Sequence, residues 1–159
     1  MLRPALLALL ILTASPGLAQ SVAFGGIKAD TSAPVEVSAD SLSVNQADGT
    51  ALFSGNVVIG QGEMRLSADK VTVVYADGDQ QKISALKASG AVTLVSGPDA
   101  AEAAEADYNV ETGDIALAGD VVLTQGGNVL RGDKMRVNLA TGTAQVDGRV
   151  RSILQPGGN

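Results

Sequence analysis

Along most of the chain apolar and polar residues alternate with a period of two. Phe53, Val57 and Ile59 fall on one side of such a run, and Leu117, Val121 and Leu123 on one side of another. Val71, Val73 and Tyr75 line up the same way, as do Met135, Val137 and Leu139, the last three separated by Arg136 and Asn138 and preceded by Lys134. Successive side chains of a strand point to opposite faces, so this period predicts strands with one dry face and one wet face. Between the runs stand Asp48-Gly49, Asp77-Gly78, Thr112-Gly113 and Thr141-Gly142, pairs suited to the positive φ of a hairpin connection. The prediction is an all-β chain of antiparallel hairpins joined in series.

The pattern repeats. An offset of 64 positions lays Gly55 to Gly78 over Gly119 to Gly142 with 11 of 24 positions identical, including Gln61/Gln125, Gly62/Gly126, Asp69/Asp133 and Lys70/Lys134. A half-period runs through it: Gly-x-Val recurs at Gly55, Gly90, Gly119 and Gly148, with Val57, Val92, Val121 and Val150 two residues on. Asp40, Asp69, Asp107 and Asp133 each precede an alternating segment. Glycine inside a strand weakens pairing, so Gly55 and Gly119 predict a bulge or bend there and sharp curvature of the sheet. One segment departs from the pattern, because Pro98 to Glu105 has the composition of a helix start. Since Ala104, Ala106, Tyr108 and Val110 alternate, a strand is expected from about Ala103, with a loop or helical turn before it.

Residues 1–19 read as a secretory signal peptide: Arg3, an apolar run from Ala5 to Ala14, then Pro16-Gly17-Leu18-Ala19. The cut is expected after Ala19, or alternatively after Ala23; an uncleaved membrane anchor is the competing reading. Residues 20–34 are expected to be a flexible lead-in, 35–155 the folded domain and 156–159 a flexible tail.

Composition removes most chemistry. The 159 residues contain no Cys and no His, which excludes disulfides, thiol nucleophiles, serine triads and the usual zinc ligands. Eleven basic residues against 17 acidic ones give a net charge of -6, or -7 once Arg3 is cleaved away, an unsuitable balance for gripping the phosphates of nucleic acid. No nucleic-acid partner is expected. Aromatics are 3% of a chain that is 45% apolar, so its interior is aliphatic. The recurring aspartates could suggest calcium, but no nonapeptide Gly/Asp pattern gathers six to eight oxygens in one loop. A carboxylate glycosidase would need placed acid pairs and aromatic rings for sugar stacking, of which the chain has few. No cofactor and no catalysis are expected.

Several motifs in order then resemble the LptA/OstA-like family. They are Ser38-Ala39-Asp40, Gly55-Asn56-Val57-Val58-Ile59-Gly60-Gln61-Gly62 with Ala68-Asp69, Gly119-Asp120-Val121-Val122-Leu123-Thr124-Gln125-Gly126 with Gly132-Asp133-Lys134, and Gly148-Arg149-Val150-Arg151-Ser152-Ile153-Leu154. The resemblance covers about Val35 to Leu154. It implies a single-domain, open, V-shaped β-jellyroll, expected here to have roughly ten to fourteen antiparallel strands. It further implies a periplasmic protein that binds lipopolysaccharide by its lipid A acyl chains. Partners implied are an LptC-like adaptor at the inner membrane, an LptD-like outer-membrane protein, and further copies of itself in a head-to-tail homo-oligomer. The expected lipid-binding residues are Leu42, Val44, Phe53, Val57, Ile59, Val71, Val73, Val92, Leu94, Leu117, Val121, Leu123, Met135 and Val137. Alternation alone is equally consistent with an ordinary sealed core. Two alternatives stand beside the carrier: a membrane-anchored adaptor of the same fold, and a self-assembling β-filament with a sealed interior. Lys70, Lys134, Arg136, Arg149 and Arg151 are read as solubilising residues of the polar face and C-terminus.

Overall fold

Each run of alternating residues forms a strand, and all but the first and last strands pair with their neighbours in sequence. In the computed structural model, which describes residues 27 and 29–156, the order is β1 (Glu36–Ser38), β2 (Ser41–Asn45), β3 (Thr50–Gln61), β4 (Met64–Ala76), β5 (Asp79–Ser96), β6 (Asp99–Asn109), β7 (Asp114–Gln125), β8 (Asn128–Asn138), β9 (Thr143–Asp147) and β10 (Arg151–Ile153). These ten antiparallel strands make one sheet in the order β1-β3-β4-β5-β6-β7-β8-β10, with β2 also on β3 and β9 also on β8. The expected signal peptide lies outside the described residues, and no helix among those described is long and apolar enough to cross a membrane.

The four expected turns are present, with φ of 61°, 75°, 76° and 70° at Gly49, Gly78, Gly113 and Gly142. Asparagine closes three of them from the preceding strand end. Asn45 Oδ1 accepts the amides of Ala47 and Asp48, Asn109 Oδ1 those of Glu111 and Thr112, and Asn138 Oδ1 that of Thr141.

The long strands fold over at a crease. Register shifts fall between Ser54 and Val57, Ser67 and Lys70, Ser89 and Val92, Glu102 and Glu105, and Ala118 and Val121. At each repeat two successive residues take positive φ: Gly55-Asn56, Gly90-Ala91, Gly119-Asp120 and Gly148-Arg149. The bend expected at Gly55 and Gly119 is therefore a four-fold device. It divides the sheet into two half-sheets that face each other. One is built from β1, β10 and the segments of β3 to β8 ending at Gln61, Ser96 and Gln125; the other from β2, β9 and the remaining segments.

Two expectations need correction. The helix-like segment is strand from Asp99 onward, because Ala101 pairs with Leu94 on one side and Leu123 on the other and is fully buried; pairing on both edges overrides local propensity. The third member of the aspartate series is not Asp107, which lies exposed opposite Lys87 and Ala116, but Ala104, which sits against Gly119 as Asp40, Asp69 and Asp133 sit against Gly55, Gly90 and Gly148.

Candidate functional site

The crease determines which residues share the interior. In β4, β6 and β8 the inward parity changes where Asp69, Ala104 and Asp133 are passed. Met64, Leu66 and Ala68 face inward before Asp69, and Val71 and Val73 after it; Ala101 and Ala103 face inward before Ala104, and Ala106 and Tyr108 after it. Two polar half-sheet exteriors thus enclose a slab of aliphatic side chains.

Of the fourteen expected interior residues, eleven are packed together: Val57, Ile59, Val71, Val73, Val92, Leu94, Leu117, Val121, Leu123, Met135 and Val137 are each no more than 1% exposed. Phe53 is half-buried against them. Leu42 and Val44 are open to solvent at 55% and 61%. Their register explains this, because Leu42 pairs with Phe53 and Val44 with Ala51, so both lie on the inner face of an edge strand with nothing beyond them. At the opposite edge Ser152 pairs with Leu130, which pairs with Leu123, so Val150 and Leu154 continue that inner face and are likewise exposed. The interior is filled by its own side chains through the middle of the sheet and uncovered at both edges.

The fourteen expected residues leave out part of this wall. Met64, Leu66, Leu86, Ile115, Leu139 and Tyr108 are almost fully buried, as is Ile27, which belongs to the segment expected to be flexible. A parity change at Asp69 is the signal that would have found Met64 and Leu66, whereas Leu86 and Ile115 simply continue the parity of Val92 and Leu117 on strands that keep it. Gln61 is a polar exception at 1% exposure: its Oε1 accepts the Tyr108 hydroxyl at 2.6 Å, and its Nε2 donates to the carbonyls of Thr31 and Ala33 at 3.1 and 3.0 Å. Burial pushes the Tyr108 hydroxyl above the usual tyrosine range, the Gln61 bond partly offsetting it.

The crease is polar on its outer side. Asp40 accepts a bond from Asn56 Nδ2 at 2.9 Å, and Asp133 is held by Arg149 through Nη2 at 2.7 Å and Nε at 3.2 Å. The Arg149 bonds and charge keep the Asp133 carboxyl below the usual carboxylate range. Lys70, Lys134, Arg136, Arg149 and Arg151 are all exposed. Among the described residues no group of three acidic side chains could hold a metal ion.

A creased antiparallel sheet with an apolar interior uncovered at its two edges defines a protein of the open jellyroll class. A sequence profile described as LptA/(LptD N-terminal domain) LPS transport protein matches residues 36–143, and the chain belongs to that family of lipopolysaccharide transport proteins, which are not enzymes. It is 33% identical over 157 residues to a functionally uncharacterised protein of Rhizobium meliloti (strain 1021), covering 91% of this chain and 84% of that one. It is 28% identical over 134 residues to the lipopolysaccharide export system protein LptA of Escherichia coli (strain K12), covering 81% of this chain and 72% of that one. In fold it matches LptH, the LptA homologous periplasmic component of the lipopolysaccharide transport device of Pseudomonas aeruginosa, with a TM-score of 0.72 at 20% identity, over 80% of this chain and 99% of that one.

Proposed function

We propose that the protein is a periplasmic carrier that takes lipopolysaccharide by its acyl chains between the two half-sheets and passes it along a bridge between the membranes. The observation that supports this most is the exposed inner face at both edges, Leu42 and Val44 at one and Val150 and Leu154 at the other. An interior uncovered at both ends can be continued by a neighbour's, so that a chain moving along it stays out of water. Each acyl CH₂ removed from water contributes about 0.8 kcal/mol, so several chains bind firmly without any directional contact. Because facing side chains fill the middle of the slab, loading requires the half-sheets to part from the edges inward. Edge strands β1/β2 and β9/β10 offer unpaired main-chain groups to partners by strand addition: an LptC-like adaptor at one end, an LptD-like outer-membrane protein at the other, and further copies of this chain head to tail between them.

The close burial of the eleven central residues favours a second reading, a self-stacking structural filament whose interior admits nothing. Photo-crosslinking residues placed at Leu42 and Ile59, and at outward-facing Thr72, separate the two in cells. The carrier gives lipopolysaccharide adducts at Leu42 and Ile59 and none at Thr72. The filament gives equal labelling at all three or none at any.

A further inference from the structure

The residues preceding β1 are bound to the hairpin ends of both half-sheets. Ile27 is fully buried within the hydrophobic core, and the Ala29 amide donates to the carbonyl of Leu139, at the end of β8, at 3.2 Å. Asp30 and Ala33 pack over Gly62 of the β3–β4 turn, and Thr31 packs over Gly113 of the β6–β7 turn. These turns belong to opposite half-sheets, so residues 29–33 cross the mouth that lies away from the crease. Across the same mouth the buried Tyr108–Gln61 bond joins β6 to β3, and the Gln61 amide holds the carbonyls of Thr31 and Ala33. A glutamine in an otherwise aliphatic slab is costly to bury unless every group is paired, and here the crossing segment supplies its acceptors. The segment itself forms no strand, and few backbone bonds hold it.

We propose that Ile27 and residues 29–33 form a displaceable cover over this mouth, latched by Gln61 and Tyr108, and that a lipid hydrocarbon chain takes the place of Ile27 when the cover lifts. This rests on the carrier reading above. Ile27 is the apolar side chain that the segment contributes to the buried core, so the exchange replaces one aliphatic group by another, while the amide of Gln61 turns to water at the opened mouth.

The chain has no native cysteine, so the cover can be tied down by one engineered disulfide. The Cβ of Asp30 lies 3.4 Å from where a Cβ on Gly62 would stand, close to the spacing of a disulfide. In the full mature chain carrying Asp30→Cys and Gly62→Cys, uptake of fluorescently labelled lipopolysaccharide is expected to slow at least tenfold when oxidised and to recover on reduction. Gln61→Leu and Ile27→Ala, which leave Gly62 unchanged, are expected to load at least threefold faster than the natural sequence and to lose hydrogen-exchange protection at the Ala29 amide. Equal loading rates in the oxidised and reduced forms, with natural-like rates in Gln61→Leu and Ile27→Ala, overturn the cover and leave the carrier standing. Failure of the natural sequence and of Ile27→Ala to load any lipopolysaccharide overturns both.

Discussion

Ala104 lies across the crease from Gly119 with its Cβ 2.6 Å from where a Cβ on Gly119 would stand. The same approach is made by the Cβ atoms of Asp40, Asp69 and Asp133 toward Gly55, Gly90 and Gly148, at 2.9, 2.8 and 2.8 Å. The glycine of each repeat is therefore required twice, for its positive φ and for the space its neighbour occupies.

Gly119→Ala is accordingly expected to destabilise the fold by about 2–4 kcal/mol, combining the left-handed backbone cost with the steric overlap. Ala104→Gly in the same chain removes only the overlap, so it restores part of the loss, offset by its own backbone entropy. Urea denaturation of the two single variants and the double variant measures the coupling. Additive effects would show that the overlap is relieved elsewhere.

Residues 27 to 156 were unevenly legible in the sequence for one physical reason. A period of two holds while a strand is straight, so Val57, Ile59, Val121 and Leu123, on strands whose extra crease residue preserves parity, are legible in the sequence. The partner strands lose a step at Asp69 and Ala104, which hid Met64, Leu66, Ala101 and Ala103. Asp107 stands out as the third repeat position in the sequence because Ala104, which occupies that place in the fold, carries no charge to mark it. Gln61 and Tyr108 meet only through tertiary packing, and no local pattern links residues 47 positions apart.

Leu42→Asp and Ile59→Asp separate binding from folding. Leu42 is solvent-exposed on an edge strand, so its substitution is expected to change stability by less than about 0.5 kcal/mol. It should nonetheless lower lipopolysaccharide loading, because the first apolar contact at that edge is gone. Ile59 is 1% exposed, and an unpaired carboxylate there is expected to cost about 4 kcal/mol or more and to abolish the native circular dichroism spectrum. Normal loading by folded Leu42→Asp protein would remove the edge from the lipid path.

Acid should loosen the surface framework in a defined window. Asp30 is held below its ordinary carboxylate value by the Ser32 bonds, Asp114 by Thr112 and Asn138, and Asp133 by Arg149. For a depressed carboxyl the unfolded chain takes up a proton first as pH falls, so the stabilisation is complete above the unfolded value near 4 and is lost through the lower folded value. All three are solvent-exposed sites, so the slope should be shallow and flattened by salt. Thermal melts between pH 2 and 6 check this, with Asp133→Asn expected to reduce the slope. Tyr108 acts at the other end: its raised value makes stability fall as pH rises above the unfolded value of about 10, and Tyr108→Phe should remove that loss.

Charge is distributed so that lipid binding and self-association should respond differently to salt. Residues 29–64, which include the β1/β2 edge, contain five acidic residues, Asp30, Glu36, Asp40, Asp48 and Glu63, and no lysine or arginine. The β8–β10 edge carries Arg131, Lys134, Arg136, Arg149 and Arg151 against Asp133 and Asp147, and Arg131 stands directly opposite Arg151, a like-charge pair that costs stability in the isolated chain. An acidic first edge and a basic last edge attract in head-to-tail order and repel in the two symmetric orders. Sedimentation of the mature protein should therefore show self-association weakening between about 0.05 and 0.5 M salt, as exposed charges become screened. Arg131→Glu combined with Arg151→Glu should abolish it at low salt. Lipopolysaccharide affinity, resting on acyl burial within a net acidic protein, should change by less than about threefold over the same range, since the hydrophobic term does not depend on screening. A large loss of lipid affinity with salt, together with unchanged self-association, would reverse the assignment and place headgroup charge at the centre of recognition.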